Sequence, residues 1–271
     1  MLRIILLTIA ATALLIWIGT RRNPLRAAYW FIYEFVTSWK FITLFIAMAG
    51  VLLVNKYELR LEHLLGEHRD LTPMFFHIEG HFVRNFQQLF HQLWISETSA
   101  FIYVILLQSL LVASIGVFAS QRNRVFLFAT CLTLLLNYAI AIPFFLFFPI
   151  NEVWSYAPAG VHFYMLEAFP TFEQIYRPLS GLDNCFPSLH TSISVSMAIL
   201  AVRSGNRRLA ITACTLAVAI IFTIFYMGIH WLMDMTGGLL LASLATTIAV
   251  RWAYHVVGEP KQLLSGKYAS F

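Results

Sequence analysis

Charged side chains are scarce in this chain of 271 residues, where aspartate, glutamate, lysine and arginine together make up 11%. A soluble globular domain carries roughly 25% charged residues, which solvate its surface. The low share excludes an ordinary soluble domain, and the 59% of hydrophobic residues points the same way. We predict an integral, multi-pass membrane protein, built as an all-α, polytopic transmembrane helix bundle of about six to seven spans with an interfacial amphipathic helix.

Cysteine is also scarce, with three in the chain. Cys131 and Cys214 lie inside apolar runs, and Cys185 stands shortly before Pro187. An odd number of cysteines at spacings that match no metal motif excludes a disulfide framework and gives no sign of a metal centre. We predict that the cysteines are packing residues, and we expect neither a metal nor another cofactor.

Acidic residues are too few to balance the basic ones, and the formal net charge is +5. A basic chain raises the possibility of a nucleic-acid partner. Here the basic residues form short clusters beside apolar segments, which is the pattern of membrane topology signals. We therefore predict the membrane, and no nucleic acid, as a partner.

Long apolar runs are abundant, and each is a candidate transmembrane helix. A signal peptide is the alternative for the first run, but Arg21, Arg22 and Arg26 follow it at once instead of a small-residue cleavage site. A span needs about 20 apolar residues, so the run at 188–203 must borrow length from its neighbours. We predict spanning helices at 2–19, 27–54, 100–119, 125–149, 188–203, 209–229 and 235–254.

The basic residues between these runs predict how the chain is oriented. Arginines lie in the loops 20–26, 120–124 and 203–208, whereas the long loop 150–187 has Arg177 as its one basic residue. Loops rich in lysine and arginine face the cytoplasm. Clean alternation then places 150–187 and 230–234 outside, so we expect a site near these loops to lie on the extracytoplasmic face.

The chain divides into four parts by composition. We predict N-terminal transmembrane helices over 1–54, an extracytoplasmic loop over 55–99, a catalytic transmembrane core over 100–256 and a polar tail over 257–271. The 55–99 region contains an amphipathic interfacial helix, which either packs on the bundle or forms a lateral gate for a lipid head group. Its apolar residues at helical spacing are Phe82, Phe86, Leu89, Phe90 and Leu93.

Polar residues at two helix ends carry the chemistry. Pro187-Ser188-Leu189-His190 reads as a helix start, where free amides favour a phosphate and Ser188 adds a hydroxyl. Taken alone, this segment is equally an N-cap with a nearby histidine. His230 and Asp234 share a helix face at i and i+4, so the carboxylate fixes the imidazole tautomer and leaves a nucleophilic nitrogen. Taken alone, this pair is equally a structural polar contact.

Together these segments resemble the type 2 phosphatidic acid phosphatase superfamily, whose motifs are KxxxxxxRP, PSGH and SRxxxxxHxxxD. Arg177-Pro178 matches the end of the first motif, Leu189 replaces the glycine of the second, and Thr223 takes the serine position of the third. The resemblance covers roughly residues 140–245. It implies the nucleophile His230, oriented by Asp234, and the general acid His190. The implied phosphate-binding residues are Arg177, Ser188 and Leu189.

Two departures from those motifs bear on the substrate. Pro170 stands where the first motif has lysine, and Ile224 stands where the third has arginine. Loss of two cations weakens the grip on a multiply charged phosphate monoester more than on a singly charged phosphodiester. This departure, and the phenylalanine-rich segment 143–149, resemble the inositol phosphorylceramide synthase branch. Arg84 is a candidate replacement cation, and His162 is a candidate pocket residue.

The predicted function is a lipid phosphotransferase that moves a phospho-head group between lipids or alcohols through a phosphohistidine. The expected partners are a lipid substrate and a lipid or alcohol acceptor. The alternative is a phosphatase acting on phosphatidic acid-like or polyprenyl (di)phosphate monoesters. A transporter would need ionisable groups at mid-span, and few are found. His77, Glu79 and His81 form H-x-E-x-H, which does not match the zinc protease pattern H-E-x-x-H.

Overall fold

The computed structural model describes residues 2–58, 60–61, 70–176 and 181–258. These residues form an all-α bundle with no strand among them. The α-helices with described bounds are α1 (Leu2–Thr20), α2 (Leu25–Thr37), α3 (Trp39–Lys56), α4 (Thr72–Glu79), α5 (Phe82–Phe90), α6 (Leu93–Phe101), α7 (Leu107–Ser120), α8 (Arg124–Phe147), α9 (Met165–Ala168), α10 (Phe172–Tyr176), α11 (Leu189–Arg203), α12 (Arg207–Tyr226) and α13 (Leu232–Val257).

Six continuous helices in the described part of the chain are long and apolar enough to cross a membrane. Five are α1, α3, α8, α12 and α13, and the sixth is Leu93–Ser120, in which a π-helical turn joins α6 to α7. The predicted all-α, polytopic bundle is thereby confirmed. The run at 188–203 gains no length from its neighbours, because α11 has 15 residues. At about 1.5 Å per residue it is shorter than the ~30 Å hydrocarbon core.

The run predicted as one span at 27–54 is two helices, α2 and α3. Ser38 leaves the helical conformation, with φ −116° and ψ 100°, and its hydroxyl accepts a hydrogen bond from the amide of Phe41. Serine is a preferred N-cap residue, so it ends one helix and begins the next. The buried Glu34 beside this break accepts a 2.7 Å hydrogen bond from Arg124 of α8.

Small residues bring the N-terminal helices close to the rest of the bundle. A Cβ atom at Gly116 of α7 would lie 2.7 Å from Cδ1 of Ile16, and one at Gly19 of α1 would lie 2.8 Å from Cγ2 of Val117. Transmembrane helices gain little from the hydrophobic effect inside lipid, so such close packing is what holds them together.

The predicted amphipathic helix is α5, and it packs on α12. The ring centroids of Phe82 and Phe86 lie 5.6 Å and 5.9 Å from that of Phe225, and Phe90 lies 5.2 Å from Phe222. These contacts agree with the interpretation that the helix packs on the bundle. Its position at a membrane interface stays a prediction.

The amphipathic segment is shorter than the apolar spacing suggested. Leu93 begins the next helix, α6, instead of extending α5, and Leu89 is 77% exposed. The buried Gln87 fixes α5 from its other side, since its amide nitrogen donates to the carbonyl oxygens of His162 and Tyr226 at 2.7 Å and 2.9 Å. The helix therefore ties the loop after α8 to the end of α12.

The loop after α8 positions the turn between α12 and α13. The amides of Val153 and Trp154 donate to the carbonyl oxygens of Ile229 and Gly228. The same loop pairs with the segment before α11, where the amide of Ile150 donates to the carbonyl oxygen of Asp183 at 2.9 Å. One loop thus aligns the beginnings of α11 and α13, which carry the polar residues singled out above.

Candidate active site

The beginnings of α11 and α13 touch each other. The amide of Ser188, the N-cap residue of α11, donates a 3.1 Å hydrogen bond to the carbonyl oxygen of Asp234 in the first turn of α13. Gly238 permits this approach, because a Cβ atom there would lie 2.6 Å from the carbonyl oxygen of Ser188. Such a distance is far inside van der Waals contact, so a larger residue would force the two helices apart.

Three side chains form a hydrogen-bonded row at this junction. Nδ1 of His230 lies 3.2 Å from Oδ2 of Asp234, and Nε2 of His230 lies 3.3 Å from Nδ1 of His190. Asp234 is fully buried and His230 is 4% exposed. The structure therefore brings together the three residues that the sequence singled out at two separate helix ends.

The row also indicates where the protons lie. Oδ2 of Asp234 already accepts from the amide of Trp231, so we assign the proton of the contact with His230 to Nδ1, which leaves Nε2 with a lone pair. That lone pair accepts from Nδ1–H of His190. Burial lowers the pKa of His230, which agrees with a neutral ring at this position.

Asp234 has a second role in the backbone of the turn. Its Oδ2 atom accepts a 2.8 Å hydrogen bond from the amide of Trp231, the N-cap residue of α13. The buried indole of Trp231 donates from Nε1 to the carbonyl oxygen of Asn151 at 2.9 Å. The turn that carries His230 is therefore fixed from both sides.

Glu79, at the end of α4, holds the first turn of α13. Its two carboxylate oxygens accept from the amides of Leu232 and Met233 at 2.7 Å and 2.6 Å. Burial raises the pKa of this carboxyl, and the two amide donors act in the opposite direction. In the sequence, Glu79 stands out only as part of H-x-E-x-H, which does not match the zinc protease pattern, so this role was not predicted. Its partners lie more than 150 positions away, so no local pattern reveals this contact.

Tyr103 is a second residue of the site that the sequence did not predict, and it contacts His190. It lies in the π-helical turn Ile102–Leu106, and its ring stacks on His190 with centroids 4.3 Å apart and planes at 20°. Single π-helical turns inside α-helices are frequent at functional sites. Here the turn places an aromatic ring against one face of the His190 imidazole and limits its rotation.

The beginning of α11 has the features expected of a phosphate-binding segment. Ser188 is fully buried, and its hydroxyl accepts from the amide of Thr191 at 3.3 Å. The amides of Leu189 and His190 donate no hydrogen bond to any described residue. Arg177, the predicted phosphate-binding cation, lies outside the described residues together with Pro178.

A cavity of about 300 Å³ opens beside the row and is lined by Leu189, His190 and His230. Among the described residues that line it, none is lysine or arginine. Ile224, at the position where the family motif has arginine, is fully buried, and its carbonyl oxygen accepts from the amide of His230 at 3.3 Å. Pro170, at the motif's lysine position, is exposed on the surface.

The remaining candidates lie away from this cavity. Arg84 is exposed on α5 and runs past Gly160, where a Cβ atom would lie 3.3 Å from its Cδ. His162 is exposed, and its ring stacks on Tyr164. Thr223 is buried within α12 and does not line the cavity. These three positions give Arg84, His162 and Thr223 no direct contact with the row.

One group among the described residues has the composition of a metal site. Donor atoms of Cys185, His230 and Asp234 lie within 4.8 Å of one another, and all three residues are buried. The Cys185 thiol donates to the carbonyl oxygen of Ile229 at 3.3 Å, and burial raises its pKa, as does the nearby Asp234. A metal would have to displace that proton, since the thiolate is the metal ligand. The prediction that no metal is needed stays open to test.

Comparison with known proteins gives one family. The family model described as the PAP2 superfamily matches residues 73–248, well over half of the chain. No curated protein and no solved structure matches the chain.

The matched region contains α4 except for its first residue, α5 to α12, most of α13 and the whole row of Asp234, His230 and His190. The apolar helices and this match agree that the protein is an integral membrane protein. The resemblance drawn from the motifs is confirmed at the level of the superfamily, and the branch within it is not settled. The chain belongs to the PAP2 superfamily, and its function is of the lipid phosphatase or phosphotransferase type.

Proposed function

We propose that the protein is a lipid phosphotransferase that moves a phospho-head group through a phosphohistidine on His230. One observation carries the proposal: Asp234 holds Nδ1 of His230, while Nε2 points at His190 beside the cavity. A nucleophile held by one partner and aimed at an acid–base partner is the arrangement that covalent catalysis requires.

The first half-reaction uses the proton that the row assigns to His190. The substrate phosphorus enters between the two imidazoles and displaces their hydrogen bond. Nε2 of His230 then forms a bond to phosphorus as the bond from phosphorus to the lipid oxygen breaks. His190 must enter this step as an imidazolium, which the bound phosphate anion favours; it gives one of its two ring protons to the leaving oxygen, and the lipid alcohol departs.

The second half-reaction reverses these roles. His190, now a neutral imidazole, accepts a proton from the hydroxyl of the acceptor alcohol and becomes an imidazolium again. The acceptor oxygen bonds to phosphorus, the N–P bond breaks, and His230 regains its lone pair. Asp234 keeps Nδ1 protonated throughout and stabilises the positive charge that develops on His230 when it bonds to phosphorus.

The phosphate would rest on the beginning of α11. The amides of Leu189 and His190 supply donors at a helix N-terminus, where the dipole favours an anion. Ser188 shapes this end as its cap, and Arg177 is the proposed cation. The charge expected of the substrate is low, because Ile224 and Pro170 replace two motif cations and no described arginine or lysine lines the cavity.

That low positive charge favours a phosphodiester over a phosphate monoester. It is the reason to place the chain near the inositol phosphorylceramide synthase branch and to prefer an alcohol or lipid acceptor over water. We place the site on the extracytoplasmic face, since the arginine-rich loops lie at the opposite ends of the same helices.

Product analysis tests the proposal. The purified chain in detergent is incubated with phospholipids and lipid phosphates, with and without alcohol acceptors, and the products are identified by mass spectrometry. We expect a new phospholipid that forms only when an acceptor is present, and no product from His230→Ala. Free phosphate released from a monoester without any acceptor would instead make the protein a phosphatase.

A further inference from the structure

Glu58 is a buried carboxylate that the proposed chemistry does not use. It follows the end of α3, and its side chain is 2% exposed. Its Oε2 atom accepts a 2.7 Å hydrogen bond from the side-chain amide of Asn184, which lies just before Cys185 in the segment leading to α11. Its other oxygen, Oε1, accepts no hydrogen bond from any described residue.

The unpartnered atoms of this pair are both hydrogen-bond acceptors. Oε1 of Glu58 and Oδ1 of Asn184 are buried and have no hydrogen-bond partner in the part of the chain that the structure describes. A buried acceptor without a donor costs free energy, and native proteins rarely leave one unused. Both residues line the same cavity as His190 and His230, so a bound substrate can reach them.

We infer that Glu58 and Asn184 form a head-group subsite that binds O–H or N–H donors on the lipid whose phosphate is transferred. This inference rests on the proposed function, because it takes the phosphate to lie at His190 and His230 and the head group to extend toward Glu58. A head group with hydroxyl or primary ammonium donors satisfies both acceptors. A choline head group has no such donor and satisfies neither.

The charge of the cavity agrees with this assignment. Glu152 is a second carboxylate on its wall, and the described residues that line the cavity include no lysine or arginine. Burial raises the pKa of Glu58 to about 7, and its bond from Asn184 opposes that shift. A donor-bearing head group would favour the ionised form of Glu58, whereas the dianion of a phosphate monoester would be repelled by it.

Lipid binding tests the subsite without requiring turnover. The variant His230→Ala, purified in detergent, is titrated with phosphatidylglycerol, phosphatidylethanolamine and phosphatidylcholine of identical acyl chains, and binding is read by native mass spectrometry. Glu58→Gln is then added to the same background, because it turns the free acceptor into a donor at nearly constant size. The matched control is Glu97→Gln, which changes an exposed carboxylate outside this cavity.

We expect the first two lipids to bind more tightly than phosphatidylcholine, and Glu58→Gln to weaken them by about 10-fold while leaving phosphatidylcholine unchanged. Asn184→Ala removes the other acceptor and should act in the same direction, which covers the case that one variant does not fold. An equal loss for all three lipids, or no loss for any, would overturn the subsite. If the lipids bind with the expected preference but the wild type transfers no phosphoryl group, the proposed function is contradicted and the subsite is supported.

Discussion

The beginnings of α11 and α13 lie side by side, but the protein treats their free amides in opposite ways. At α13, the side chains of Asp234 and Glu79 accept from the amides of Trp231, Leu232 and Met233. At α11, the Ser188 hydroxyl accepts from the amide of Thr191. The amides of Leu189 and His190 have no acceptor among the described residues.

The difference indicates that the two helix ends have different functions. A helix N-terminus attracts an anion, and two carboxylates already occupy that position at α13. We therefore expect the end of α13 to hold the proposed nucleophile, His230, and the end of α11, capped by an uncharged serine, to bind the phosphate of the substrate.

The proposed nucleophile, His230, lies in the turn before α13. Its replacement should reduce turnover more than any other change considered below. His230→Ala removes the atom that bonds to phosphorus, so we expect turnover to fall by about 10³-fold or more. The measurement is product formation by the purified variant. His81→Ala is the matched control, since His81 contacts the carbonyl oxygen of Ala159 and lies outside the cavity. Activity near the wild-type level in His230→Ala would move the nucleophile elsewhere.

The contact between the two helix ends should be the next most sensitive feature. Gly238→Ala puts a Cβ atom 2.6 Å from the carbonyl oxygen of Ser188, which is backbone and cannot swing away. We expect a loss of turnover of about 10²-fold, because a shift near 1 Å between reacting groups costs that much. Gly50→Ala is the control, with no atom within 4 Å of its added Cβ. Wild-type kinetics in Gly238→Ala would show that the contact is not needed.

The role of Glu79 as a positioning residue predicts a smaller, graded effect. Glu79→Ala leaves two amides of α13 without an acceptor, and we expect kcat to fall about 10-fold with little change in KM. Glu79→Gln keeps one acceptor oxygen and should fall between the wild type and Glu79→Ala. Steady-state kinetics of the three proteins provide the measurement. Equal losses in both variants, or a change confined to KM, would argue against positioning.

The smallest expected effect is that of a chelator. The proposed chemistry uses nitrogen and carboxylate atoms already held by hydrogen bonds, so we expect turnover to change less than about 2-fold when divalent ions are removed. Activity is measured with and without a strong chelator. Loss of activity restored by zinc would instead make Cys185, His230 and Asp234 a metal site.

Local patterns in the sequence were enough to find the row but not its support. The i,i+4 spacing of His230 and Asp234 and the apolar runs between arginine-rich loops single out these residues, and the structure places His190 against them. The prediction that both lie on one helix face is wrong for His230, which stands in the turn before α13, because Asp234 caps that helix by accepting from the amide of Trp231. Glu79 and Tyr103 have no such pattern, because their contacts with α13 and His190 depend on how distant helices pack.

The fold shows the same limit. Apolar length and hydropathy predict the long helices well, since the lipid environment demands them. They do not reveal the break at Ser38 or the short length of α11, which depend on capping and on packing against neighbours. Arg177, predicted from the motif, lies outside the described residues.

The most direct test of the account is to find the phosphorylated residue. The wild-type chain is mixed, without acceptor, with a phospholipid that it uses as a substrate. The reaction is quenched and the protein is digested at high pH, where an N–P bond survives. The peptides are then sequenced by mass spectrometry. We predict a phospho-head group on His230 that disappears when an alcohol acceptor is added. A modification on His190 instead, or none on either histidine during turnover, would contradict the phosphohistidine mechanism.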